Sequence, residues 1–392
     1  MARADGRVTP RSPRFGKSRS GYLYLLVSSR RPWYREIRRL CHSRNTVPLR
    51  EDAAEIDDYP HAVWTDLPRV GPLPESANLP RSMTDRFDLV EPDPRNAAVI
   101  ADRSALLFGD RGLAVVDGRW VRCHSDSFSL DRLRLIRADQ VRASRRIERP
   151  VLSLSNFHSD ANYYHWMFQS LPKLKLAREC GANFESVVVA DRYPWVKASL
   201  EQAGIRASNV LIQKREPLLS DSTVIVSEPA GAFRVPEWVV LYLRELFLPE
   251  SQRRGDLKLY VDRGMPERRR LVNEAEVVAH LKEKGFEVVA PGRLSLTDQA
   301  DLFSRARAVV GVHGAAFSNL AFCRPGTKVI ELVPANYPFW CFAQLAHVAG
   351  LEYRAVMGCE PSLRSVARVG IPAADLRIRL EDLKKALNDI DA

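Results

Sequence analysis

From Pro150 onward the chain alternates short β-branched runs with stretches of helical periodicity, and few architectures accept that pattern. Val151–Leu154, Val187–Ala190, Val210–Ile212 and Val224–Val226 read as strands, separated by helical stretches over Tyr163–Glu179, Trp195–Ala203 and Pro236–Phe247. Residues 248–256 read as a linker. The alternation then restarts with strands Leu257–Val261, Phe286–Val289, Ala308–Val312, Lys328–Val333 and Tyr353–Val356, and helices near Glu274–Lys284, Thr297–Arg305, after Gly314, and Phe339–Ala349. Asn273 and Ser295 fit helix N-caps, with Asp298 three residues after Ser295. Buried strands alternating with helices specify a parallel sheet covered on both faces. Two such units in a chain of 392 residues exceed one core and predict an α/β protein with two Rossmann-like halves.

The flanks read differently. Ala97–Ile100, Ala105–Phe108, Leu113–Val116 and Arg119–Cys123 are short apolar runs, the last two joined by Asp117-Gly118. Asp-Gly between such runs is a hairpin signal, so a small antiparallel β layer is expected in the N-terminal half. Residues 1–60 are basic and poorly periodic, apart from a short amphipathic stretch at Trp33–Leu40. Leu376–Ile390 reads as an amphipathic helix whose Leu380, Leu383, Leu387 and Ile390 need a partner surface. The organisation predicted is a basic segment (1–60), an N-terminal α/β domain (61–250), a C-terminal Rossmann-like domain (251–375) and a closing helix (376–392).

The formal charge of +11 is uneven, because Arg3, Arg7, Arg11, Arg14, Lys17 and Arg19 crowd the start. Such an arm suits peripheral association with an anionic membrane surface, and a solvated tail is its commoner use. A nucleic-acid-binding protein is a competing reading, which requires basic residues along one folded face; much of the excess lies in the arm and in Arg268–Arg270 instead. No apolar stretch approaches the roughly 20 residues needed to cross a bilayer, so a cytoplasmic location is expected. The six cysteines are scattered without zinc-like spacing and read as free thiols.

In an open parallel sheet ligands gather at the carboxyl ends of the strands. Three such ends carry chemistry. Arg263 lies just past Leu257–Val261, and a planar guanidinium there suits a diphosphate. Val312 runs into His313-Gly314-Ala315-Ala316, a small-residue turn that lets phosphate approach helix N–H groups, with tight strand–helix packing as the equal alternative. Glu331 is a carboxylate inside an apolar strand and must pair with a cation or accept hydrogen bonds from a ligand such as a ribose diol. In the other half, Asp160 to Leu174 is dense in aromatic and hydrogen-bonding residues. His165 and Gln169 share a helical face there, Asn162 shares the preceding turn, and Trp and Tyr rings offer faces for a sugar. A lone histidine among aromatics is more often a satisfied core residue than a catalyst.

Taken together, Asn162-Tyr163-Tyr164-His165-Trp166 with Leu171-Pro172, Arg263 to Arg269 with Asn273-Glu274, Gln299, Val312 to Ala316 with Asn319-Leu320, Pro325-Gly326-Thr327 and Glu331 resemble glycosyltransferase family 61 over roughly residues 90–360. The resemblance implies a GT-B-like fold of two Rossmann-like domains facing a cleft. It implies transfer of a sugar, with inversion, from a nucleotide-sugar donor such as a UDP-sugar to a hydroxyl of a glycan or polysaccharide of the capsular or exopolysaccharide kind. No cofactor or metal is expected. By that similarity residues 251–375 bind the donor through Arg263, Arg269, Asn273, His313, Gly314, Ala315, Asn319 and Glu331, while Asn162 and Trp166 in residues 61–250 face the acceptor. Relatives commonly carry an acidic residue where this chain has Gln169, and glutamine cannot act as a base. His165 is then the first candidate base and Asp160 the second. The same departure leaves a catalytically inactive sugar-binding relative as the alternative.

Overall fold

A computed structural model describes β1 (Ala54–Glu55), β2 (Val63–Asp66) and strand segments at 96–108, 113–116 and 119–122, and then residues 144–391 except 157–161, 191–192, 214–215, 232–233, 249–254, 265–268, 336–338 and 360–374. Most of the basic arm, the Trp33–Leu40 stretch, Asp160 and Arg268 lie outside the described residues.

The C-terminal half is built on β11 (Leu257–Val261), β12 (Glu287–Val289), β13 (Ala306–Val312), β14 (Lys328–Pro334) and β15 (Glu352–Gly358). All pair in parallel in the order β12-β11-β13-β14-β15. The central strands β13 and β14 are buried almost throughout and mostly Val, Ile, Leu and Ala, as strands covered on both faces must be. One face packs with the segments Glu274–Glu283 and Leu380–Asp391 around Tyr260, Val310, Ile330 and Leu332. The other joins Leu296–Ser304 and Cys341–Val348 in a larger cluster with Val261, Val309 and Val329. The chain moves outward from β11 to β12 and then returns to place β13 on the other side of β11. That reversal opens a crevice at the carboxyl ends of β11 and β13, where doubly wound sheets take their ligands.

The N-terminal half differs from a plain parallel unit. Its parallel part is β7 (Val151–Ser153), β8 (Ser186–Val189), β9 (Val210–Ile212) and the nine-residue β10 (Leu218–Val226), with β6 (Arg145–Ile147) also along β10. The expected antiparallel layer is not separate: β3 (Asn96–Phe108) pairs antiparallel with β10 and carries β4 (Leu113–Val116) and β5 (Arg119–Arg122) into the same sheet. The two runs Ala97–Ile100 and Ala105–Phe108 are one strand. The polar residues between them form an irregularity where the register with β10 shifts, with Asp102 at a φ of 55°. Asp is one of the few residues that tolerates that backbone region, so the strand bends there without ending.

The first helix after β7 is also irregular. Tyr163–His165 is α-helical, capped by the Asn162 side chain on the Tyr164 N–H, and then widens to a π segment over Trp166–Ser170 before Lys173–Glu179 resumes. Pro172 explains the widening, since it lacks an N–H and its ring collides with the carbonyl four residues back in a regular helix. Ser295 caps Leu296–Ser304 through the Asp298 N–H, whereas Asn273 does not cap with its side chain. The chain after Gly314 forms a 3₁₀ helix, Ala315–Phe322, not an α-helix.

The halves share one core. Val239, Val240, Leu243 and Phe247 of the first belong to the same cluster as Phe303, Leu320, Ala321 and Phe322 of the second. Polar links reinforce it: Arg244 donates to the Ala321 and Cys323 carbonyls at 2.7 and 2.5 Å, and the Gln344 amide pairs with both backbone groups of Val235. Among the described residues no helix is long and apolar enough to cross a membrane, and Cys180, Cys323, Cys341 and Cys359 are free.

Candidate active site

Arg263 leaves β11 half-buried and lies against the turn that follows β13. A Cβ built on Gly314 would lie 2.7 Å from Arg263 Nε and 3.2 Å from its Cζ. The glycine has an extended backbone that any residue adopts. Close approach of the guanidinium, not backbone freedom, is therefore what requires Gly here. Arg263 Nη1 donates to the Arg269 carbonyl at 3.2 Å, and Arg269 holds a positive φ of 59°. Burial pushes the Arg263 pKa down to about 10, and the nearby positive charge of Arg269 adds to the effect while Glu274 opposes it. Two like charges partly withdrawn from water beside a small-residue turn make a place where an anion is stabilising. Arg270 is instead committed to Asp375, donating both Nε and Nη2 to its Oδ2.

His313 and Glu331 form a single unit. His313 Nδ1 is hydrogen-bonded to Glu331 Oε1, and the Tyr353 hydroxyl donates to Glu331 Oε2 at 2.5 Å. Register explains the contact, since Glu331 pairs with Gly311 on one side and Ala355 on the other, placing Tyr353 as its diagonal neighbour. The carboxylate is fully buried and both oxygens are engaged. Burial and this carboxylate raise the Tyr353 pKa well above its ordinary value. Glu331 thus meets the requirement for a buried acid through a histidine and a phenol, and it orients the His313 ring toward the end of β13.

Other residues expected at the site have structural partners. Asn319 is fully buried, with its Oδ1 accepting from Tyr163 and its Nδ2 donating to Gln299, so it joins the halves. Asn273 clamps both backbone groups of Ile378 and so fastens the start of the last helix. Trp166 is 1% exposed and donates its Nε1–H to Ser199. Its ring faces the core, so a sugar has no access to it. An exposed flat face in that region belongs to Tyr193, stacked on Trp195 at 5.1 Å and 4°.

His165 is half-buried, and its Nδ1 lies 2.6 Å from Gln169 Oε1. Burial lowers its pKa, and the Gln169 contact opposes that shift. Gln169 Nε2 donates to the Ala230 carbonyl, which fixes the amide with its oxygen toward the imidazole. That oxygen also accepts from Asn156 Nδ2, which donates in turn to Glu228 Oε1 at 2.7 Å. Asn156 and Glu228 were not singled out from sequence, although each follows a buried strand, β7 and β10. The strand-end rule that points to Arg263 points equally to them.

Rings connect the motifs. Tyr164 packs edge-on to His165 at 5.4 Å and to Phe342 at 5.7 Å, and Phe342 lies 5.1 Å from His313. With the Tyr163–Asn319 hydrogen bond, this sets the His165 helix against the His313 turn. A cavity of about 610 Å³ lined by Asp256, Arg307 and Arg324 lies at the amino ends of the second sheet's strands, remote from this chemistry. Among the described residues no cluster of three or more His, Cys, Asp or Glu has the arrangement of a metal site.

Residues 163–330 match the family model described as Glycosyltransferase 61. A segment of 63 residues, 16% of this chain, is 33% identical to the beta-1,2-xylosyltransferase RCN11 of Oryza sativa subsp. japonica and covers 12% of that relative. The family match begins with the His165 helix, takes in Arg263, Arg269 and the His313 turn, stops one residue before Glu331, and covers less than half of the chain.

Proposed function

We propose that the chain is a glycosyltransferase that moves a sugar from a nucleotide-sugar donor to a hydroxyl of a glycan acceptor. The observation that carries this is Arg263 packed on Gly314, with Arg269 next to it, at the switch point of a doubly wound sheet and within the family match. The arginines and the first N–H groups of Ala315–Phe322 hold the donor diphosphate. His313, oriented by Glu331, adds a hydrogen bond. The two halves act as the Rossmann-like domains of a GT-B-like transferase, the acceptor lying on the His165 side, where Tyr193 offers a ring face to a sugar.

The reaction is a single displacement with inversion. His165 takes the proton of the acceptor hydroxyl as its oxygen attacks the anomeric carbon, and the nucleoside diphosphate leaves from the opposite face, its charge met by the arginines. That supply of positive charge makes the reaction metal-independent. Capsular or exopolysaccharide fragments are the acceptor class to test first, and UDP-xylose belongs in the donor panel because of the xylosyltransferase relative. The test is a thermal-shift screen of nucleotide sugars followed by assay of diphosphate release with acceptor and excess EDTA. Turnover unaffected by EDTA is expected. Full inhibition reversed by added metal refutes the metal-independent reading, and a donor that binds without any turnover favours an inactive sugar-binding relative.

A further inference from the structure

Gln169 stands where an acid is expected, and by itself it can only orient. Its surroundings extend that role to a carboxylate. From His165 the contacts run to Gln169 Oε1 at 2.6 Å, from Asn156 Nδ2 to that same oxygen at 3.1 Å, and from Asn156 Nδ2 to Glu228 Oε1 at 2.7 Å. Gln169, Asn156 and Glu228 are buried. Each donor and acceptor in the series is determined. The Ala230 carbonyl accepts from Gln169 Nε2 at 2.9 Å, so the oxygen of that amide faces His165 and Asn156. Asn156 meets two acceptor oxygens and must present its NH₂ group to both. An amide oxygen cannot donate, so His165 carries its proton on Nδ1 and keeps Nε2 as its acceptor atom.

We propose that Glu228 is a positioning residue for His165: through Asn156 and Gln169 it holds the imidazole in the Nδ1–H tautomer, the form in which Nε2 takes a proton. The series is not a proton wire, because an amide in its middle passes no proton. Its action is orientational. The Glu228 oxygen accepts from Asn156, and turning that amide over would set its oxygen against both Glu228 and Gln169. Where the family resemblance leads one to expect an acid at position 169, this chain places a neutral amide, with a carboxylate two hydrogen bonds further away at the end of β10.

The inference rests on the reading of His165 as the base, and its test separates the two. Glu228→Ala and Glu228→Gln are compared by ¹⁵N NMR of the histidine ring, which reports the tautomer without turnover, and by steady-state kinetics. In Glu228→Ala a mixed tautomer population is expected, with kcat lowered roughly tenfold or more, as when groups that orient a histidine are lost in metal sites. The donor KM stays within about twofold, since donor contacts lie in the other half. Glu228→Gln keeps an acceptor oxygen in place and restores both signals. If Glu228→Ala does not fold, Asn156→Ser cuts the same series, with the same expectation. An unchanged tautomer in the Ala or Ser variant overturns the proposal, as does a Gln variant as impaired as the Ala variant, which would assign the effect to charge. A tautomer that responds in a protein without transferase turnover keeps the series and removes the catalytic reading.

Discussion

At the scale of single residues, Arg263 and Gly314 are one feature seen from two strands. If Arg263 meets the diphosphate as proposed, Arg263→Ala is expected to weaken nucleoside diphosphate binding by about 2 kcal/mol or more, the worth of a charge-assisted bidentate contact, with the fold retained, as read by calorimetric titration. Unchanged affinity would move the phosphate site elsewhere. Gly314→Leu places atoms where the guanidinium now lies, so it is expected to abolish donor binding. The melting temperature should change little, because the displaced group is the far end of a flexible side chain. A large fall in melting temperature with normal affinity would make the turn a packing element. His165→Ala is expected to lower turnover by about 10²–10⁴-fold at nearly constant donor affinity. Asp160→Asn is the control; near-full turnover in the first variant with none in the second would reverse the roles. The pH dependence has a defined sign. Burial holds the His165 pKa below its ordinary value of about 6.5. The neutral, base-competent ring therefore persists below that pH, and activity is lost as pH falls through the lowered pKa. Gln169→Glu sets a carboxylate against Nδ1, so it should raise that pKa and move the acid limb of kcat upward.

At the scale of elements, the most informative case is the last helix. Its apolar spacing showed that it needs a surface but not which one. The structure supplies the second sheet: Leu383, Ala386 and Leu387 lie in the cluster of Tyr260, Val310 and Ile330. Leu383→Ala is expected to cost about 2–5 kcal/mol of stability, as for other buried leucines, measured by urea unfolding. A cost under about 1 kcal/mol would mean that the helix docks only loosely. Asn273 holds the start of this segment through Ile378, so Asn273→Ala should lower stability without lowering nucleotide affinity among folded molecules. The elements legible in the sequence were those with a local cause. Apolar runs gave β11, β13 and β14, and Ser295 gave a cap. Partner choice across the chain was not legible, because it has no local signature. Nothing near Asn319 announces Tyr163, and nothing near Trp166 announces Ser199, so residues with structural partners elsewhere in the chain read as site residues. The π segment was missed as well, although Pro172 is its visible cause. At the candidate site, strand ends marked Arg263 and His313; Asn156 and Glu228 also follow buried strands, but no motif around them singled them out.

At the scale of the whole molecule, the linker at 248–256 divides the sequence pattern but not the core. Phe247 lies 5.9 Å from Phe322 in an edge contact, and Arg244 spends its guanidinium on the Ala321 and Cys323 carbonyls. Burial lowers the Arg244 pKa, so this is a charge committed to the junction and partly withdrawn from water. A fragment of residues 251–392 would expose Leu320, Ala321 and Phe322 to water, forfeiting about 1.5–3 kcal/mol for each large apolar side chain. Such a loss is a large part of the 5–15 kcal/mol that holds a typical domain together. The fragment is therefore expected to lack a cooperative unfolding transition and to bind no nucleotide, and mixing it with residues 1–250 should restore both. In the full chain, unfolding followed by tryptophan fluorescence and by loss of bound nucleotide should give coincident urea midpoints, as one cooperative unit requires. Two separated midpoints, or a 251–392 fragment that folds and binds nucleotide alone, would show that the shared cluster is a contact between independent domains and that the donor half keeps its site without the His165 helix against it.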